Sequence, residues 1–261
     1  MIAGVNLLPS PNLAERARAA GVHLFLSLTI AGLAALLVFW LWYPYPYREI
    51  SGGRELFLIV VAVDVVLGPL VTFAIFDRRK SRAHLRADLA VVVLIQLAAL
   101  AYGLWTVFVA RPVHLVFEYD RFRVVHAIDV PAELMEKKPP GLQAMPWTGP
   151  TLLSVRPFKN AAEKFDATMA AFAGADLAAR PDLWQDYRSA VPDVLQVAKP
   201  IQQLKERFPQ RVPDIDAVVR STGADPKTLV YVPMVGRKTF WTVLVRPGSG
   251  EVAGFLELDS F

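Results

Sequence analysis

The chain has 261 residues, 54% of them hydrophobic, with 28 Lys+Arg against 24 Asp+Glu and no Cys. The lack of Cys excludes disulfides, thiol chemistry and Cys-ligated zinc. A pI near 9.4 does not point to nucleic acid, because the basic excess flanks apolar blocks and forms no Lys/Arg stripe with interleaved aromatics.

The mean hydropathy of +0.36 is high for a soluble chain, and the excess sits in three blocks before Arg111. The first, Val22–Tyr43, has no Asp, Glu, Lys or Arg and is long enough to cross a bilayer. Trp40, Trp42, Tyr43, Tyr45 and Tyr47 read as an aromatic belt at its far end. A cleaved signal peptide would have a shorter apolar core ending in small residues, so an uncleaved anchor is expected. The second block is Glu55–Phe76 and the third Leu85–Val109.

Arg78, Arg79, Lys80, Arg82 and Arg86 crowd the short link between the second and third blocks, whereas the link between the first two carries only Arg48 and Arg54. The positive-inside rule then places the N-terminus and the 77–84 loop in the cytoplasm and everything after Arg111 on the other side.

Polar residues inside the spans are the candidate functional positions. Asp64 lies near the middle of span two, where an ionisable group costs roughly 2.5–3.5 kcal/mol to insert. It should face protein or water. Gln96 lies at a similar depth in span three, and an Asp64–Gln96 hydrogen bond would satisfy both. That bond is one expectation for the pair; a partner-binding role is the other. Gly68 and Pro69 follow Asp64, and Pro69 removes an N–H and so frees the Val65 carbonyl one turn earlier, which predicts a kink. Ser27, Thr29 and Thr72 can bond back to their own helices. Asp88, near the cytoplasmic end, can meet Arg82, Arg86 or water.

Beyond Arg111 the patterning changes. Val113–Phe117 and Phe122–His126 alternate about Glu118-Tyr119-Asp120 and predict a β-hairpin. Thr151–Arg156 is a further strand. Asn160–Ala173 is a helix capped by Asn160, stopped by Gly174, with Phe165, Met169 and Phe172 on one face. Short helices are expected at Pro181–Arg188, Pro192–Ala198, Ile201–Phe208 and Pro213–Thr222. Leu229–Val235, Thr239–Arg246 and Glu251–Leu258 are strands on links too short for anything but an antiparallel meander. The expected fold is therefore membrane α-helical, with three transmembrane helices, plus a C-terminal α+β domain whose antiparallel sheet has helices on one face. The expected domains are a cytoplasmic tail over residues 1–21, a transmembrane domain over 22–110 and the α+β domain over 111–261.

No catalytic set emerges. His114 and His126 fall in strands without a carboxylate cluster, which fits sheet-face side chains better than a metal pair. Ser154 and Ser189 lack a nucleophile-elbow context, and Asp214 and Asp216 suit a helix N-terminus. Trp184 and Tyr187 fit a core better than a binding ridge. A His23–Ser27 dyad inside span one is the one intramembrane alternative. No enzyme activity, cofactor or metal is expected.

The membrane half resembles the type IV pilin accessory proteins. The residues that carry the resemblance are HLFLS at His23–Ser27, WYPYPY at Trp42–Tyr47, DVVLGPLVT at Asp64–Thr72, FDRRKSR at Phe76–Arg82, LRADL at Leu85–Leu89, IQLAALAYG at Ile95–Gly103 and RPVHLVFEYDRF at Arg111–Phe122. It covers residues 20–125, and the most specific piece is DVVLGPL, since an apolar helix rarely needs Asp, Gly and Pro so placed. The resemblance implies a multi-pass protein of the bacterial inner membrane with a periplasmic C-terminal domain. It also implies a pilin-specific chaperone role with the type IV major pilin as client, alongside lipid and the pilus assembly machinery. It supplies no catalytic residues. On this reading Asp64, Gly68, Pro69 and Gln96 line a groove for the pilin helix. The alternative is a membrane-anchored extracytoplasmic sensor or ligand-binding module.

Overall fold

The computed structural model describes residues 11–77 and 80–261. Arg78 and Arg79 and the first ten residues of the expected tail lie outside the described residues. The chain divides into two compact units. One is Arg54–Phe108 with the residues up to Val38; the other is Phe39–Gly53 with Val109–Phe261.

Among the described residues three helices are long and apolar enough to cross a membrane: Leu13–Trp42, Gly53–Ile75 and Arg82–Val109. The first is α1 (Pro11–Leu36), continued by a π-helical turn over Leu37–Trp42. A one-turn helix α2 (Tyr47–Ile50) lies in the following link. The second span is α3 (Gly53–Ala62), a π-helical turn over Val63–Leu67, and α4 (Gly68–Ile75). The third is α5 (Arg82–Val109). Spans two and three approach closely at Gly103, where a Cβ would collide with the Val60 side chain. Asp88 pairs with Lys80 at 2.5 Å, not with Arg82 or Arg86.

The second unit holds β1 (Pro112–Glu118), β2 (Arg121–His126), β3 (Thr151–Val155), α6 (Ala161–Phe172), β4 (Trp184–Asp186), α7 (Val191–Val197), β5 (Lys199–Pro200), α8 (Ile201–Arg207), α9 (Val212–Ser221), β6 (Val230–Val235), β7 (Phe240–Val245) and β8 (Val252–Leu256). The strands form one sheet in the order β4-β3-β1-β2-β6-β7-β8, with β5 also on β6. The predicted hairpin and meander are present as antiparallel pairs.

The sheet as a whole is mixed, which corrects the antiparallel expectation. β3 runs parallel to β1, and β6 runs parallel to β2. The reason lies in the connections. β2 ends beside the start of β1, and residues 127–150 return the chain to that same end, with Thr151 opposite His114. A hairpin-length link fixes strand direction; a long excursion does not.

Side chains alternate across the strands and fill cores on both faces. Leu115, Phe117, Phe122, Val232, Trp241 and Val243 point to one face, where Val194 of α7 packs. On the other face Val116, Val125 and Leu153 meet Trp184, and Tyr231 and Leu244 meet Ile201, Leu204, Ile215 and Val219 of α8 and α9. Helices thus cover both faces, not one.

Trp184 and Tyr187 are core residues, as their patterning suggested. The helix expected over 181–188 is instead a 3-10 turn, strand β4 and another 3-10 turn, because Trp184–Asp186 pairs with β3. α6 is capped by Asn160, whose side chain accepts from the Glu163 N–H at 2.8 Å. It buries Ala167 and leaves Phe165, Met169 and Phe172 exposed.

The link after span one belongs to the second unit's core. Tyr43 and Ile50 are fully buried, Tyr47 nearly so, and Tyr47 and Ile50 join the Phe122–Trp241 cluster. The Gly149 N–H donates to the Leu41 carbonyl at 2.6 Å, and the Lys238 N–H to the Ile50 carbonyl at 3.3 Å. Trp40 and Tyr45 remain exposed. Within the WYPYPY segment Tyr45 is therefore exposed, whereas Tyr43 and Tyr47 lie in the interior.

Candidate functional site

The geometry around Asp64 begins with Pro69. A proline has no N–H to give. Over Val63–Leu67 the second span is π-helical, and in an i→i+5 register the amide that would serve the Asp64 carbonyl is residue 69's. The orphaned carbonyl beside Asp64 is thus its own, where a simple α-helical register would have orphaned Val65. Gln96 of α5 fills the gap, its Nε2 donating to the Asp64 backbone carbonyl at 3.2 Å.

Gly68 makes this possible. A Cβ at that position would overlap the Gln96 amide. Gly68, Pro69, Asp64 and Gln96, singled out from the sequence, do come together, but the expected bond is altered. Gln96 serves the backbone of Asp64 and not its carboxylate. The Asp64 Oδ1 is buried with no hydrogen-bond partner among the described residues.

Around this point the three spans enclose a cavity of about 730 Å³, within the size range of binding pockets. Span two is the floor, with Val61, Asp64 and Thr72. α1 gives one wall through Val22, His23, Leu26, Ser27 and Ile30, and α5 the other through Leu89, Val93, Gln96, Leu97 and Leu100. Residues three and four apart share a helix face, so each wall is a continuous stripe. At 1.5 Å per residue the lining stretch of α1 is about 24 Å long and that of α5 about 17 Å. Glu15 and Arg18 stand at the α1 N-terminal end.

One further contact ties the wall to the floor. His23 Nδ1 and Thr72 Oγ1 are 2.5 Å apart. The sequence had Thr72 bonding back within its own helix, as Thr29 does to the Phe25 carbonyl at 2.9 Å. No local pattern marks Thr72 out, because the pairing spans 49 positions. It also occupies Nδ1 of His23, and no His23–Ser27 hydrogen bond occurs among the described residues.

In the second unit, His114 is buried against the Trp184 ring. Its Nε2 lies 3.0 Å from the Ala144 carbonyl and its Nδ1 2.7 Å from Thr151 Oγ1. The carbonyl can only accept, so Nε2 carries the proton and the Thr151 hydroxyl donates to Nδ1. Burial pushes this His down to about 4, against the Ala144 bond, which favours protonation. His126 bonds Asp129 at 3.2 Å, and Asp129 also takes Arg237 at 2.6 Å. Burial raises the Asp129 carboxyl, but these two partners outweigh it and hold the group below its ordinary value. Asp214 pairs with Arg211 and Asp216 with Lys205. No group of three or more His, Asp or Glu fit to hold a metal occurs among the described residues.

The model of the family "Fimbrial assembly protein FimB" matches residues 11–52, which take in span one and the Tyr43–Ile50 segment. The "Fimbrial assembly protein, serogroup I" of Dichelobacter nodosus is 33% identical over 247 residues, 94% of this chain and 96% of that protein. The serogroup E1 protein of the same organism is 30% identical over 246 residues, again 94% and 96%. The protein of serogroups C1 and C2 is 40% identical over 114 residues, 44% of this chain and 87% of its own length. No solved structure matches. With about a third of positions identical across nearly the whole length of both chains, this protein belongs to the fimbrial assembly protein family, in line with the type IV pilin accessory proteins that its membrane half resembles.

Proposed function

We propose that the chain acts in pilus assembly as a non-enzymatic accessory protein that holds a pilin subunit in the inner membrane before it enters the fibre. Its near full-length relation to fimbrial assembly proteins supports the assembly role. The observation that carries the holding role is the groove: two apolar helix stripes and a floor bearing Asp64, with an unpaired carboxylate oxygen, at a level where the bilayer offers no water. An apolar helix laid between α1 and α5 would bury both stripes, as helix-in-groove recognition does elsewhere. The domain after Val109, placed in the periplasm by the positive-inside rule, would then meet the subunit's globular part and set which pilin is served.

The test is a crosslinked pull-down of the tagged, full-length protein from its native membrane, read by mass spectrometry. A major pilin as the dominant partner is the expected result. An intact, well-expressed bait that brings down no pilin would overturn direct holding. In parallel, Asp64→Ala should reduce surface pili while the accessory protein stays at its normal level.

A further inference from the structure

We propose that the helix received by the groove presents a protonated nitrogen to the Asp64 carboxylate; the inference rests on the holding role above and names the chemistry of that contact. Three observations converge on it. The Asp64 Oδ1 is buried and has no donor among the described residues. The Gln96 amide, in the same cavity lining, directs its Nε2 to the Asp64 backbone carbonyl instead. Gly68 fixes that choice, since the Gln96 amide lies where a Cβ would stand and is packed against backbone.

The other donors that line the groove make no hydrogen bond to that carboxylate oxygen among the described residues. The Thr72 hydroxyl engages the His23 ring through Nδ1. Arg18 lines the cavity from the N-terminal part of α1, more than one helical turn before His23. The floor therefore displays an acceptor that no donor of the described residues engages. A carboxylate in an apolar cleft gains most from a cation, because low polarity strengthens the pair and an unpaired charge is costly. The occupant has to be largely apolar as well, since it lies along Val22, Leu26, Val93 and Leu97. A membrane helix with one positive group at the level of Asp64 satisfies both demands.

The experiment places a photo-crosslinking amino acid at Leu97, in the groove wall, and at Leu94, an exposed position on the same helix that does not line the cavity. Both are expressed in full-length protein in the native, pilin-producing membrane. Each is combined with Asp64→Glu and with Asp64→Asn, and pilin adduct is normalised to the bait recovered. The expected result is a pilin adduct from position 97 and not from 94. It should be retained in Asp64→Glu and fall at least tenfold in the near-isosteric Asp64→Asn, which keeps an acceptor oxygen but loses the charge. A pilin adduct from position 97 undiminished in Asp64→Asn would overturn the cation while leaving the holding role intact. No pilin adduct from position 97 in the otherwise wild-type protein, or an adduct with lipid alone, would overturn both.

Discussion

Gln96 of the third span donates to the backbone carbonyl of Asp64 in the second, not to its carboxylate, at 3.2 Å. One interhelical bond thus answers the missing Pro69 N–H and leaves an acid unsatisfied in the floor of a groove. Closing a defect of helix geometry and leaving a carboxylate oxygen unpaired are here the same event.

Gly68→Ala tests how tightly that bond is built. The added methyl overlaps the Gln96 amide, and overpacking of this kind costs about 1–3 kcal/mol. The detergent-solubilised protein should lose thermal stability accordingly. In a Gln96→Ala background the same substitution should cost much less, because the atoms it strikes are gone. Equal losses in both backgrounds would mean the clash is not with Gln96.

Ile50→Ala should destabilise the β domain although residue 50 precedes the second span. Ile50 is fully buried and belongs to the Phe122–Trp241 cluster, and emptying such a site costs about 2–5 kcal/mol. Limited proteolysis of Val109–Phe261 within the full-length protein should occur at a lower temperature in the variant. A fragment starting at Val109 should fail to give the wild-type resistance, since it lacks Tyr47 and Ile50.

Acid should weaken the β domain in a window set by His114. Its folded value of about 4 lies below the ordinary 6.5. Between those values the unfolded chain binds the proton and the folded one does not, so stability falls as pH drops from about 6.5 to 4, by about 3 kcal/mol in total. His114→Gln cannot titrate, and its denaturation midpoint should be flatter across that window. A wild-type curve as flat as the variant's would refute the assignment.

Reporter fusions test orientation. An alkaline phosphatase fused after Leu258 should be active and one in the 77–84 loop inactive, because Lys80, Arg82 and Arg86 resist transfer with Arg78 and Arg79. The reverse pattern would invert the topology.

The sequence by itself determined whatever a short stretch of chain can enforce. Span length and apolarity settled three candidate membrane helices, and links of two to six residues settled the β1–β2 hairpin and the β6–β7–β8 meander. Asn160 marked the start of α6, and Asp64, Gly68, Pro69 and Gln96 stood out because each is out of place in an apolar helix. Tertiary structure decided what depends on a distant partner. The directions of β3 and β6 follow from where long excursions return, and the three residues 184–186 are a strand only because β3 lies beside them. His23 finds Thr72 across two helices, and Tyr47 and Ile50 leave the membrane link for the core of a domain that begins some 60 residues later. Which carbonyl Pro69 orphans was likewise decided by the π-helical turn, whose register shift moves the vacancy from Val65 to Asp64, within reach of Gln96.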